Sequence, residues 1–407
     1  MRAHDRRSPL LVGLLVSGCV SATPAPVRPG IEVLIDDSLH LVRGRPVGLL
    51  TNQTGVDTHG VDDLTRLLGA GVRVTAVLSP EHGFRGHLDE ENIGHTRDSA
   101  TGIPIYSLYG DVRAPTPDML AGMDVLLVDL QDIGGRPYTY ISTILHALRV
   151  AAGQGVPVIV LDRPNPLGGV AVAGPVLDTA FASFVGMLPV PLRHGLTMGE
   201  LARFGQAALG LGGSLAVVPV AELHRSQWFD DTRLPWVRPS PNMPSLESAI
   251  PYPGTVLFEA TNLTVGRGTP IAFQVIGAPW LNATAVIQRV GDIAGAVLRD
   301  TVIVPENPTD GKYAGIAVPA VRLHVLDRER FDPVAVALWL LAAVRAEHPD
   351  SLRLTARRMD ELAGTDRLRH VIVEGADPAS LLAEWRAESA RFLEARAPFL
   401  LYPPELP

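Results

Sequence analysis

An acid, an imidazole and a guanidinium crowd into five residues of the segment VLSPEHGFRG (77–86), as Glu81, His82 and Arg85. They follow an apolar run, Val72 to Leu78, that reads as a buried strand and stops at Ser79-Pro80. A glutamate between a proline and a Gly-Phe turn is held rigidly and partly desolvated. Such a placement is expected to let it hold a proton at neutral pH yet release it. Glu81 is therefore the candidate general acid. The same residues also allow a plain ion pair between Glu81 and Arg85 that pins the loop, and His82 beside a glycine can simply hydrogen-bond backbone.

Two further segments are as dense. DLQDIGGRPYTYIST (129–143) holds Asp129, Asp132, Arg136, Tyr138 and Tyr140. Asp132 could orient a substrate amide or activate water, or else serve the coming helix N-terminus or pair with Arg136. YPGTVLFEATNLTVGRGTP (252–270) brings Glu259, Asn262 and Arg267, the last between Gly266 and Gly268. It reads either as a loop closing over the site or as a glycine-rich turn with Arg267 on nearby carbonyls. Other chemistries are thinly represented. G-x-S-x-G, a Walker A motif and H-E-x-x-H are absent, and the one cysteine, Cys19, lies in the leader. His82, His87, Asp89 and His95 fit no standard metal spacing, so no metal and no cofactor is expected. Carboxylate, arginine and amide remain, which suits acid/base work on an oxygen-rich, anionic substrate.

The elements that must position these groups alternate along the chain. PVGLLTNQ, VRVTAVLSP, IPIYSLYG, DVLLVDLQD, VPVIVLDRPNP and LAVVPV read as strands. VDDLTRLLGA, TPDMLAGM, YTYISTILHALRVAAGQG and TMGELARFGQAALG read as helices, with Thr116 as N-cap before Pro117 and a stop at Gly153 or Gly155. Continuous Val/Ile/Leu strands between helices predict a Rossmann-like, mostly parallel sheet covered on both faces, without the dinucleotide fingerprint. Asn52 and Gln53, Glu81 and His82, Asp129 and Asp132, and Asp162 and Asn165 then all fall at carboxyl ends of strands. That edge forms the ligand crevice of open α/β sheets.

A chain of 407 residues exceeds what one core usually serves. The Pro-rich stretch RLPWVRPSPNMPSLESAIPYPG (233–254) marks the boundary. The expected organisation is a Rossmann-like domain over 31–235 and a smaller α+β domain over 236–407. In the latter, IAFQVIG, AVIQRVGDIAGAVL, AGIAVPAVRLHVLD, PVAVALWLLAAVRAEHP and ASLLAEWRAESARFLEARAPFLLY read as elements. A net charge of −8, with no Lys/Arg-rich face, disfavours nucleic-acid binding. Residues 1–18 carry Arg2, Arg6 and Arg7 before a short apolar run, as in a secretory signal. Val16-Ser17-Gly18-Cys19 resembles a bacterial lipobox, so Cys19 is expected to carry a lipid, with 19–30 as a tether. An incidental thiol in a signal peptide cut elsewhere is the alternative. An exported lipoprotein, periplasmic or cell-surface, touching the membrane through its anchor alone, is the expectation.

LLTNQTG, SPEHGFRG, DLQDIGGRPYTYIST, LDRPNPLGG, RHGLTMGELA, PSPNMP, YPGTVLFEATNLTVGRGTP and FQVIGAPW occur in this order. Together they resemble the exo-β-N-acetylmuramidase family, long carried as a domain of unknown function, from about residue 31 to the C-terminus. The resemblance implies a Rossmann-like domain and an auxiliary domain with the site between them. It also implies release of N-acetylmuramic acid from the non-reducing end of peptidoglycan fragments, muropeptides included. It points to Glu81 of SPEHG as the acid, with Gly266, Arg267 and Gly268 matching the family pattern.

Such a substrate carries a lactyl carboxylate, which calls for a cation such as Arg85, Arg136 or Arg267. Its acetamido group permits a substrate-assisted route with Asp129 or Asp132 as helper, beside direct displacement by a second carboxylate. A binding lipoprotein that captures muropeptides or other anionic sugars without catalysis is the reading from a different class. An esterase or amidase lacks its motifs here.

Overall fold

The computed structural model describes residues 26–86, 94–110 and 112–403. Cys19, the leader, most of the tether, His87 and Asp89 lie outside the described residues. Seven strands form the first sheet: β1 Pro46–Thr51, β2 Arg73–Ser79, β3 Thr96–Arg97, β4 Pro104–Ser107, β5 Val125–Asp129, β6 Val158–Leu161 and β7 Leu215–Val218. Their order is β3-β4-β2-β1-β5-β6-β7, and every pairing is parallel except β3 with β4. The Rossmann-like expectation holds. The chain runs outward from β1 to β4, then returns to β5 on the other flank of β1. The order reverses between β1 and β5, where Thr51 pairs with Asp129 and parallel sheets open their crevice.

The strands are apolar throughout because both faces are covered. Val47, Leu49, Val77, Leu127, Ile159 and Leu161 pack with helices Gly30–Asp37 and Asp63–Gly69. Leu50, Leu78, Leu126, Val128, Val158 and Val160 face helices Tyr140–Gln154 and Met198–Ala208. The expected punctuation is present: Thr116 caps the turn that starts at Pro117. Gly155, at φ 68°, ends the long helix in the left-handed region a side chain disfavours. Helix Met198–Ala208 opens with a capping box between Thr197 and Glu200.

A second, antiparallel sheet has the order β8-β10-β9, from β8 Val275–Gly277, β9 Ala296–Ile303 and β10 Val318–Val325. Helices Ala283–Val290, Pro333–Glu347, Ala356–Ala363, Arg367–Glu374 and Ala379–Arg396 surround it. The run 285–298, read above as one element, breaks at Gly291 and Gly295, whose positive φ separates a helix from β9. Helices Ala356–Ala363 and Arg367–Glu374, each of only 8 residues, do not appear in the sequence reading.

The core does not stop where the sheets do. One apolar cluster runs from Leu78 and Leu126 through Tyr252, Phe258 and Leu338 to Trp385. Backbone contact is closest at Gly254, where a Cβ would come within 1.9 Å of the Pro333 carbonyl oxygen. The chain's end then folds back on the first sheet: the Tyr402 hydroxyl donates to Asp162 and accepts from the Val220 N–H. Among the described residues, no helix is long and apolar enough to cross a membrane.

Candidate active site

Glu81 stands one turn beyond the end of β2, partly buried. Its Oε2 accepts a hydrogen bond from the Thr139 hydroxyl, which sits just before helix Tyr140–Gln154. Tyr138 and Tyr140 flank that threonine and meet edge to face, with ring centroids 5.0 Å apart. Tyr252 reaches across from the C-terminal half to within 6.0 Å of Tyr138. Gly135 leaves the room, since a Cβ there would come within 2.9 Å of the Tyr252 ring. Burial pushes the pKa of all three hydroxyls up, and the charge of Glu81 adds to the rise in each. They are therefore neutral donors across the working pH range, not bases.

The loop that carries Glu81 is tightly set. His82 follows at φ 72°, a left-handed conformation that costs a residue with a Cβ on the order of 1 kcal/mol. Gly86 adopts φ 68°, and a Cβ there would fall 1.9 Å from the Gln53 side chain. Gln53 in turn donates 2.8 Å to the Arg238 carbonyl, and the Tyr140 hydroxyl donates to that of Pro239. The PSPNMP segment is thereby tied over the same sheet edge. Asn52 accepts from the Thr54 N–H (3.0 Å) and hydroxyl (2.6 Å), and lies beside the Tyr140 hydroxyl.

Asp132 adjoins Tyr140 and is buried. Its Oδ2 accepts from the Gly134 N–H and from His194 Nε2, both at 3.1 Å. His194 Nδ1 accepts from the Leu196 N–H (3.1 Å), so the ring's proton resides on Nε2 and points at Asp132. Asp132 is thus oriented by a histidine from RHGLTMGELA and does not pair with Arg136.

The other sequence candidates divide by what they hold. Asp129 is buried and gives both carboxylate oxygens to Arg163, one of them at 2.8 Å. Burial raises the pKa of Asp129, and burial together with the Asp129 charge raises that of Asp63. Asp162 accepts from the Arg163 and Gly199 N–H groups and the Thr197 and Tyr402 hydroxyls, and its pKa rises with burial to about 6. Asn165 bonds the Leu196 carbonyl and the Leu167 N–H. Asn262 bonds the Ser351 carbonyl and the Arg353 N–H.

Arg136 is buried on four carbonyls, of Pro175, Val190, Leu362 and Ala363, at 2.6–3.1 Å. Burial pulls its pKa down to about 9, still cationic at neutral pH. It ties the two halves together. Arg85 pairs with Asp98 (3.1 Å) over the Phe84 ring, instead of with Glu81. Arg267 grips Glu259 through Nε (2.8 Å) and Nη2, not a ring of carbonyls.

His95 accepts from the Ser107 N–H (3.1 Å). Glu32, Asp57 and His59 form the cluster with metal-like spacing among the described residues. Glu32 Oε1 already takes the Thr58 N–H and hydroxyl, and Asp57 Oδ1 the His59 and Val61 N–H groups, as in a turn. Thr139 and Tyr252, which the structure brings beside Glu81 and Tyr138, and His194, which it brings to Asp132, escaped the sequence reading. A threonine before a helix or a tyrosine in a Pro-rich stretch carries no local sign of what it will face.

The geometry leaves two carboxylates, Glu81 and Asp132, on a tyrosine-lined wall where the halves of the chain meet. Comparisons with known proteins show what the chain is similar to. The peptidoglycan β-N-acetylmuramidase NamZ of Bacillus subtilis (strain 168) is 37% identical over 411 residues, covering 96% of this chain and 98% of that protein. The crystal structure of a DUF1343-family protein (BF0371) from Bacteroides fragilis superposes with a TM-score of 0.86 at 32% identity, over 93% of this chain and 99% of that one. A second, BF0379 of the same organism, gives 0.74 at 29% identity, over 94% and 100%. Residues 47–247 and 250–402 match the N- and C-terminal models of exo-β-N-acetylmuramidase NamZ, and the chain belongs to this family of glycoside hydrolases.

Proposed function

We propose that the protein releases β-linked N-acetylmuramic acid from the non-reducing end of peptidoglycan fragments, with Glu81 as general acid. The observation that carries this reading is the placement of Glu81. It is a partly buried carboxyl group on a strained loop at the sheet's carboxyl edge, held by Thr139 and walled by tyrosines from both halves. As general acid, Glu81 gives a proton to the glycosidic oxygen as the bond to C1 breaks. As it breaks, Asp132, fixed by His194 and the Gly134 N–H, polarises the acetamido group so that its oxygen closes on C1. Water, giving its proton to the Glu81 carboxylate, then opens that ring; otherwise Asp132 activates water to attack C1 directly. The neutral tyrosine hydroxyls and the Asn52 amide offer hydrogen bonds to the sugar.

Chromogenic β-glycosides of N-acetylmuramic acid and of N-acetylglucosamine test this with protein that begins after the tether. Release from the muramic compound alone is the expected result. Tight muropeptide binding with no release from either would favour a binding lipoprotein.

We further propose that Cys19 carries a lipid that holds the enzyme to a membrane outside the cytoplasm, on the strength of the Arg-rich start, the apolar run and Val16-Ser17-Gly18-Cys19. Cys19→Ser should move the full chain from the membrane pellet to the soluble fraction or leave its leader uncut. An unchanged membrane fraction would rule the anchor out.

A further inference from the structure

We infer that Arg358 is the specificity residue for the lactyl carboxylate, an assignment that rests on the glycosidase reading above. Recognising that carboxylate takes a cation whose charge is not already matched. Around the site, cations are matched unequally. Arg136 is enclosed by four carbonyls, and Arg85 is paired with Asp98. Arg267 is fixed by two bonds to Glu259 Oε1 and a third, at 3.3 Å, to the Thr309 hydroxyl. Lys312 lies on the Leu263 carbonyl (3.0 Å) and beside Asp310 (3.8 Å).

Arg358 extends from helix Ala356–Ala363 toward the other oxygen of Glu259 and stops at 3.8 Å, beyond hydrogen-bond length. Lys312 and Arg358 stand equally far from their counterions, but Lys312 also bonds the Leu263 carbonyl, and Arg358 is the more exposed of the two. Its side chain is 39% exposed, so an incoming anion can reach it.

An aromatic path joins this group to the acid. The Arg267 guanidinium lies 5.4 Å over Phe273, Phe273 meets Tyr252 at 4.8 Å, and Tyr252 meets Tyr138 at 6.0 Å. Tyr138 adjoins Thr139, the partner of Glu81. The Tyr252 hydroxyl accordingly feels Glu259, Arg267, Arg358 and Glu81 together. On this assignment, a pyranose bound with its glycosidic oxygen at Glu81 and its C3 side past the Tyr252 hydroxyl directs its lactyl ether toward Arg358. A sugar lacking that group finds the cation unmatched, which is how a charged site discriminates.

The test compares three chromogenic β-glycosides: N-acetylmuramic acid, its lactyl carboxamide and N-acetylglucosamine. Wild type should favour the acid over the carboxamide in kcat/KM by about tenfold or more. In Arg358→Met that ratio should collapse toward one, chiefly through a higher KM for the acid, and Arg358→Lys should recover part of it. Carboxamide turnover by Arg358→Met shows that the variant is folded. A wild-type ratio in Arg358→Met overturns the assignment. If wild type cleaves none of the three, the glycosidase reading fails separately. Equilibrium binding of free N-acetylmuramic acid and N-acetylglucosamine then decides, and undiminished discrimination by Arg358→Met overturns the role of Arg358.

Discussion

Glu81→Gln is expected to lower kcat on a disaccharide substrate by about 10²- to 10⁴-fold, the usual worth of a positioned general acid. The substitution is nearly isosteric. A glutamine oxygen can still accept from Thr139, so the loop, already set by the Gly86–Gln53 packing, should not move. What disappears is the proton for the leaving oxygen. That makes the leaving group a second readout. An aryl glycoside with an acidic phenol departs without help, so its turnover should fall much less than that of the disaccharide. Steady-state kinetics on both substrates, with melting temperature as a control, check this. An equal loss on the two would mean that Glu81 acts by some means other than protonation.

The second large effect separates two aspartates that look alike in the sequence. Asp129→Asn should destabilise the fold by about 3 kcal/mol or more, because it leaves the buried guanidinium of Arg163 without its counter-charge. Asp132→Asn should leave the melting temperature within a few degrees, since an amide oxygen can still accept from Gly134 and His194. Its kcat should instead fall about 10²- to 10³-fold, as a group that stabilises developing charge is lost. Thermal melts and kinetics on both variants test the pair. An Asp129→Asn protein with normal stability and no activity would exchange the two roles.

Those two residues also show where sequence reasoning ran out. Asp129 and Asp132 both follow the same apolar strand, and the motif alone allows either as the catalytic helper. Parallel pairing sets Asp129 beside Thr51 at the buried end of β5, with Arg163 from the next strand's end against it. Asp132, three residues on, clears the sheet and meets His194 from a loop 62 residues away. The same applies to the arginines. Arg136 and Arg267 were reasonable candidates for a substrate carboxylate because of their neighbours in the chain. Their neighbours in space, four carbonyls and Glu259, take their donors instead.

By itself, the sequence determined what depends on local periodicity and on residues adjacent in the chain. Alternating apolar strands and amphipathic helices specify a parallel sheet, because only strands covered on both faces can be apolar throughout. A strand that ends in Ser-Pro-Glu-His-Gly delivers its polar residues to the carboxyl edge, so Glu81 could be singled out before any fold was seen. The tertiary structure alone decided which charges are matched within the fold. Ion pairs and hydrogen bonds form between residues tens or hundreds of positions apart, and a buried charge takes whatever partner the packing brings to it. Thr139 beside Glu81, His194 behind Asp132, Tyr252 across the junction and Arg358 at its far end all follow from that packing. No spacing along the chain announces them.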